Sequence, residues 1–256
     1  MRTTTPKPSD ATTGDWQPAQ TGHALFTSRL GVCAIAWGQH GVVALRLPEP
    51  QPEAARERLL EGATKRRPGN YRQALSVASL PAAALQAAAG VQVLLAGRAG
   101  AYSLADVAAP GGADWAFAQP LLTAAGMVLP DMRAQFASTR WAADGQLPLL
   151  DDMALDWEGV PEFHRHVYRL ALAIAPGHTR SYGDMALELG GKGLARAVGQ
   201  ALGANPFAPV VPCHRILAAQ GASGGFSASG GALTKLRMLE WEGAALGDGG
   251  SLSLFG

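Results

Sequence analysis

Apolar positions along the chain change their spacing twice. Between residues 29 and 47 they gather into two short runs, Val32-Cys33-Ala34-Ile35-Ala36-Trp37 and Val42-Val43-Ala44-Leu45-Arg46-Leu47, separated by Gly38-Gln39-His40-Gly41. β-prone runs of this length around a Gly-bounded turn predict a hairpin. Residues 52–61 (PEAARERLLE) predict a short helix with Pro and Glu at its start. Residues 81–96 predict an Ala-rich helix opened by Pro81 and weakened in its middle by Gly90. Between them, residues 64–70 are basic and turn-rich, and Lys65, Arg66 and Arg67 are expected to form a solvated charge run.

From residue 160 the spacing becomes helical. Phe163, Val167, Leu170, Ala171 and Ile174 mark an amphipathic helix over 161–174, stopped by Pro176-Gly177. Ser181-x-x-Asp184 is a cap-like opening for a second helix to about residue 189, followed by the turn Gly190-Gly191. A third helix over 194–204 would turn Leu194, Ala197, Val198 and Leu202 inward and Arg196 outward. Two short helices joined by a tight Gly turn have the form of a helix-turn-helix. Asn205-Pro206 ends the third helix, and Val210-Val211 reads as a buried strand end running into Pro212-Cys213-His214-Arg215. Residues 224–231 form a Gly/Ser loop around Phe226, and 233–241 close the region as a helix.

The remaining stretches lack either periodicity. Residues 1–21, rich in Thr, Pro, Asp and Gly, predict a disordered tail. Residues 98–150, Pro-rich with scattered Trp and Phe, predict an inserted or partly ordered lobe, with a helix over 131–141 as a candidate. The expected division is thus a tail (1–21), an N-terminal α/β domain (22–97), the insertion (98–150) and a C-terminal domain (151–256).

Composition narrows the class. The chain has 256 residues, 48% hydrophobic and 16% charged, which describes a soluble globular protein. No apolar run reaches the roughly 18 residues of a membrane span, and no apolar core follows Arg2 and Lys7 as in a secretory signal. A cytoplasmic protein with no membrane partner is expected. A net charge of +1 is low for a nucleic-acid binder, so any such contact must rest on local Arg and Lys placement. Cys33 and Cys213 form no Cys-x-x-Cys pair, which argues against a structural zinc or a redox dithiol. His164, His166 and His178 share no metal-ligand spacing and are expected at the surface; no metal is expected. Cys33, inside a strand, reads as a small buried hydrophobe.

Cys213 is different. Pro212 fixes the backbone just before the sulfur, and His214 supplies a base beside it. A free thiol has a pKa of about 8.5 and needs such help near neutrality. A Cys-His hydrolase of the thiol-peptidase type would use the same groups, but the adjacent Cys-His order and the helix-turn-helix argue against it.

From 161 to 243 these features recur in a set order: Ser181-Tyr182, Ala195-Arg196-Ala197-Val198-Gly199, Asn205-Pro206, Pro212-Cys213-His214-Arg215, a Gly-Phe-Ser loop, and Glu242-Gly243. The order resembles that of the O6-alkylguanine-DNA alkyltransferases, the methylated-DNA–protein-cysteine methyltransferases. The resemblance implies an α/β fold: a small N-terminal β-sheet (RNase H-like) domain, begun by the hairpin, and a C-terminal helical, winged-helix-like domain with the helix-turn-helix. It implies one irreversible, cofactor-free transfer of an alkyl group from O6 of guanine in double-stranded DNA to Cys213, by a monomer. By the same resemblance His214 takes the thiol proton through a water, and Glu242 orients His214. Tyr182 donates to a ring nitrogen of the flipped base, the backbone near Ser227 meets O6, and Arg196 fills the vacated stack. Asn205 ties the recognition helix to the active-site segment, and Arg215 is expected to pair structurally with a carboxylate. Phe226 stands where better-known members carry Tyr, and the loop is a little longer. The alternative is a module that binds alkylated DNA without reacting and recruits other repair factors, which the presence of Cys213 disfavours.

Overall fold

Two tight turns set the N-terminal sheet. In the computed structural model, which describes residues 21–74, 79–96, 153–219 and 224–244, strand β1 (Gly22–Ser28) pairs antiparallel with β2 (Gly31–Gly38) across a two-residue turn. Ser28 closes that turn by donating to the Gly31 carbonyl at 2.8 Å and accepting from the Leu30 amide. Strand β3 (Gly41–Arg46) pairs antiparallel with β2, with a bulge at Ala36/Trp37. A short β4 (Arg72–Gln73) lies parallel to β1, giving the order β3-β2-β1-β4. The expected hairpin is β2–β3. Strand β1 went unpredicted: its His23, Thr27 and Ser28 mask a strand that is buried along its whole length.

Both faces of this sheet are covered, which explains the near-continuous apolar runs in place of strict alternation. Helix α1 (Pro52–Arg66) lays Ala55, Leu59 and Ala63 on Leu25, Ala34, Ala36 and Val43. Helix α2 (Ala82–Ala96) covers the other face, where Phe26, Ile35, Trp37 and Leu45 meet Ala84, Ala88, Val91 and Leu95. Helix α1 runs five residues past its predicted end. Arg66 and Arg67 are therefore not a solvated run. Arg67 Nε donates to Asp156 Oδ2 at 2.8 Å, and Arg66 bonds the carbonyls of Val43, Asp156 and Glu158 while lying over the Phe207 ring. Apart from the Val43 carbonyl, these acceptors belong to the C-terminal region, a partner that local charge patterning cannot reveal.

The same edge joins the two regions through the backbone. Val42 N donates to the Ala154 carbonyl, Asp156 N to the Val42 carbonyl, and Leu45 N to the Pro206 carbonyl, at 2.7–2.8 Å. Gly41 has φ +126°, and a Cβ there would sit 2.1 Å from the Ala154 oxygen, so this close approach requires glycine. On the α2 side, Arg29 stacks on Trp241 with its guanidinium carbon 4.2 Å from the ring centroid.

The C-terminal region is helical. Helix α3 (Glu162–Leu172) buries Val167, Tyr168 and Ala171, and the Tyr168 hydroxyl donates to the Ala201 carbonyl at 2.8 Å. Strand β5 (Arg180–Ser181) leads into α4 (Tyr182–Glu188), which a full capping box opens: Asp184 N donates to Ser181 Oγ, and Ser181 N to the Asp184 carboxylate. Gly190-Gly191 and a 3-10 turn connect it to α5 (Ala195–Gly203), which buries Val198, Ala201 and Leu202 and leaves Arg196 exposed, as its spacing predicts. Strand β6 (Ile216–Leu217) pairs parallel with β5, and α6 (Gly231–Trp241) closes the region. The strand expected at Val210-Val211 is instead a turn. Val211 N bonds the Phe207 carbonyl at 3.0 Å, which bends the chain before the short strand forms beyond Arg215. His164 is half-buried against Phe163 and Tyr168, not at the surface, while His166 and His178 are exposed. The predicted tail, the 98–150 lobe and the 131–141 helix lie outside the described residues. Among the described residues no helix is long and apolar enough to cross a membrane.

Candidate functional site

The segment Pro212-Cys213-His214-Arg215 is held from both sides. Asn205, buried just past the end of α5, donates through Nδ2 to the Val211 carbonyl at 2.8 Å, and its Oδ1 accepts from Phe207 N at 2.9 Å. One side chain thus staples the helix end to the turn that presents the sulfur. Cys213 itself opens a single 3-10 turn (Cys213–Arg215) that feeds β6. Through β6 pairing with β5, this turn lies beside Ser181 and the start of α4, where Tyr182 projects.

His214 is fully buried, and its Nε2 lies 2.9 Å from Glu242 Oε1. A carboxylate can only accept, so Nε2 carries the proton and Nδ1 keeps its lone pair. Nδ1 is buried and has no hydrogen-bond partner among the described residues. Burial pulls the His214 pKa down, against the raising pull of Glu242, so the ring is neutral near pH 7. Arg215 grips the same carboxylate twice, Nε to Oε2 at 2.9 Å and Nη2 to Oε1 at 2.7 Å, and donates to the Ile174 carbonyl at 2.6 Å. The carboxylate expected to pair with Arg215 is therefore the one that orients His214. Burial alone would push Glu242 up, but His214 and Arg215 outweigh it and hold the carboxyl ionised, well below its ordinary value.

The Cys213 thiol is buried, and that burial raises its pKa. The Asn205 amide, the nearby Lys235 ammonium and backbone amides counter the rise. Lys235 was not anticipated. It lies wholly inside, its Nζ donating to the Ile216 carbonyl at 2.5 Å and sitting 5.7 Å from the Tyr182 ring centroid. A signal existed: positions 235 and 242 are seven apart, two helical turns, so a Glu242 that faces inward brings Lys235 with it. Burial lowers the Lys235 pKa to about 8.

Cys213 lines an open pocket of about 690 Å³ together with Tyr182, Arg196, Gly199, Phe226 and Ser227. Tyr182 is half-buried, its hydroxyl 3.5 Å from the Gly225 carbonyl. Burial, then the thiol's negative form, raises its pKa, so it stays a proton donor. Arg196 and Ser227 are exposed at the rim, and Phe226 packs between the two cores. Gly230, at φ +78°, is the N-cap of α6 beside this loop, where a Cβ would lie 2.4 Å from Thr234 Oγ1. Of the eight predicted site residues, five (Cys213, Tyr182, Arg196, Phe226 and Ser227) line this pocket, Asn205 braces the turn, and His214 and Glu242 form the buried pair next to it. Among the described residues no cluster suited to a metal ion occurs.

Fold and site define a class: mixed α/β proteins with an N-terminal sheet and a helical region that sets a thiol beside an imidazole–carboxylate pair. Residues 162–244 match the family described as 6-O-methylguanine DNA methyltransferase, DNA binding domain. It is similar to the methylated-DNA–protein-cysteine methyltransferase of Mycolicibacterium paratuberculosis, 49% identical over 88 residues, which are 34% of this chain and 51% of that one. It is 41% identical over 102 residues to the protein of that name from Salmonella typhimurium, covering 40% of this chain and 58% of the relative. The chain thus spans little more than half the length of these curated relatives. Its fold matches the crystal structure of Mycobacterium tuberculosis OGT in complex with DNA at a TM-score of 0.51 and 25% identity, over 87% of this chain and 92% of that one.

Proposed function

We propose that the protein repairs DNA directly, moving an alkyl group from O6 of guanine onto Cys213 once and without cofactor. The observation that carries this reading is the His214–Glu242 hydrogen bond at 2.9 Å behind a cysteine that opens onto a pocket. In this reading the lesion base leaves the duplex, because an O6 inside the stack cannot be approached in line. The Cys213 thiol gives its proton, through a bridging water, to the free Nδ1 of His214, and Glu242 stabilises the imidazolium. The sulfur lone pair forms the S–C bond, and the C–O6 pair returns to guanine. Tyr182 neutralises the charge building on the departing base. Arg196 fills the vacated stack, the Ser227 backbone meets O6, and Phe226 forms an apolar wall. The thioether is stable, so the protein is consumed.

The finer architecture follows the same reading. The two-faced sheet of 22–97 serves as the RNase H-like N-terminal domain, and 151–256 as a winged-helix-like domain whose α4–α5 pair is a helix-turn-helix. The partner is double-stranded DNA containing O6-alkylguanine, the protein acts as a monomer, and its compartment is the cytoplasm, which suits a free reactive thiol. A duplex carrying O6-methylguanine tests this: intact mass should rise by one methyl group, located on the Cys213 peptide, and then stop. Tight lesion binding with no gain in mass would instead identify a non-catalytic binding module that recruits other repair factors.

A further inference from the structure

A second cavity, of about 350 Å³, also reaches Cys213. It shares Leu202, Gly203, Phe226 and Ser227 with the first pocket but continues under the N-terminal region. Its far wall is one face of α1, with Arg58, Glu61, Gly62 and Lys65 at helical spacing, and the end of β3 with Arg46. Arg58 is already neutralised by Glu49 at 2.6 Å. Arg46 feels the charges of Glu49 and Glu61, but its buried Nε has no hydrogen-bond partner among the described residues. The transfer itself uses none of these groups.

In an in-line displacement the sulfur, the reacting carbon and O6 lie on one axis. Whatever the carbon carries beyond its hydrogens projects sideways from that axis. With the base in the Tyr182–Arg196 pocket, the side open to such a substituent is the one past Phe226 and Leu202. We infer that the cavity beneath α1 holds the tail of alkyl lesions longer than methyl, and favours tails that end in a hydrogen-bond acceptor, above all a carboxylate that Arg46 can meet. The inference rests on the transfer reading and deepens it. The bonds made and broken are the same: S–C forms, C–O6 breaks with its pair going to guanine, and the thiol proton is accounted for by His214 and Tyr182. Only the substituent on carbon differs.

The test uses the full chain and three duplexes, carrying O6-methylguanine, O6-butylguanine and O6-(3-carboxypropyl)guanine, with adduct formation followed by intact mass. The two long tails have nearly the same length and differ in their terminal charge. The carboxypropyl group should transfer several-fold faster than butyl. Gly62→Leu, whose side chain would enter the cavity beside the flexible end of Arg46, should slow both long tails about tenfold and leave methyl unchanged. Arg46→Met should remove about tenfold from carboxypropyl alone. Long tails unaffected by Gly62→Leu would overturn the inference while methyl transfer upholds the repair reading. A slowing of all three duplexes by Gly62→Leu would place the effect in the fold and equally overturn it. Absence of methyl transfer by the unaltered protein would remove the repair reading and this inference together.

Discussion

Each half of the molecule buries one cysteine, and the two sulfurs could hardly be placed more differently. Cys33 sits mid-strand in β2 with 1% exposure, among Phe26, Ile35 and the Ala-rich face of α2. Ser28 Oγ, at 3.4 Å, is its polar neighbour, and burial pushes the thiol up to about 12. Cys213 is almost as hidden, at 7% exposure, and burial raises its pKa as well. Around it, however, are an amide, an ammonium, two backbone N–H groups and an opening. Burial by itself therefore does not separate an inert thiol from a reactive one. What separates them is whether the fold also supplies groups that prefer the thiolate and a path for the partner.

The strongest way to break this contrast is to exchange the sulfurs for oxygen. Cys213→Ser should lower alkyl transfer by about a thousandfold or more, since a hydroxyl is far less nucleophilic near neutral pH. Cys33→Ser should leave transfer within about twofold. Comparable losses from both would show that the sheet cysteine takes part. Next comes Glu242→Gln. It keeps the shape but removes the charge shared by His214 and Arg215. Transfer should fall about a hundredfold, because the imidazolium formed on deprotonating Cys213 is no longer stabilised. Melting should also register a loss of about 3–5 kcal/mol, since Arg215 is left buried without its counter-charge.

Lys235→Met probes what distinguishes the surroundings of Cys213 at one remove from the relay. The ammonium lies in the core beneath the Tyr182 ring and favours the thiolate. Without it the Cys213 pKa should climb, so the rising limb of the rate against pH should move to higher pH, with about a tenfold loss at neutrality. A merely structural lysine would lower the amount of folded protein and leave the position of that limb unchanged.

The C-terminal half was the more legible in sequence. Its helices obey a 3.6-residue spacing, its cap is spelled out by Ser181 and Asp184, and its proposed nucleophile and base are adjacent letters. The sheet half hid more because its determinants are distant. His23 in β1 looks polar, yet its Nδ1 meets the Tyr71 carbonyl at 2.8 Å, 48 residues on. Gln92 is buried in α2 because it donates to the Thr27 carbonyl at 2.8 Å. Arg66 and Arg67 looked solvated because their acceptors near Asp156 lie some ninety positions along the chain. In each case a polar residue is held by a remote partner, a backbone carbonyl or, for Arg67, the Asp156 carboxylate, and no local pattern encodes that. Lys235 belongs between the two cases: its helix was read correctly, but its inward direction follows only once Glu242 is known to face the core.

The smallest effect tests the inert sulfur on its own terms. Cys33→Ala should cost about 1–2 kcal/mol at pH 7, the price of a small core vacancy. The gap should then shrink in alkali. A thiol raised from 9.0 to about 12 in the folded chain keeps its proton where the unfolded chain has lost it. Its contribution is whole below pH 9 and is lost as pH rises through 9 toward 12. Chemical unfolding of the two proteins at pH 7, 9 and 10 should therefore show the wild-type advantage falling step by step. A difference that stays constant across that range would mean that Cys33 ionises as easily folded as unfolded, and the contrast with Cys213 would lose its electrostatic basis.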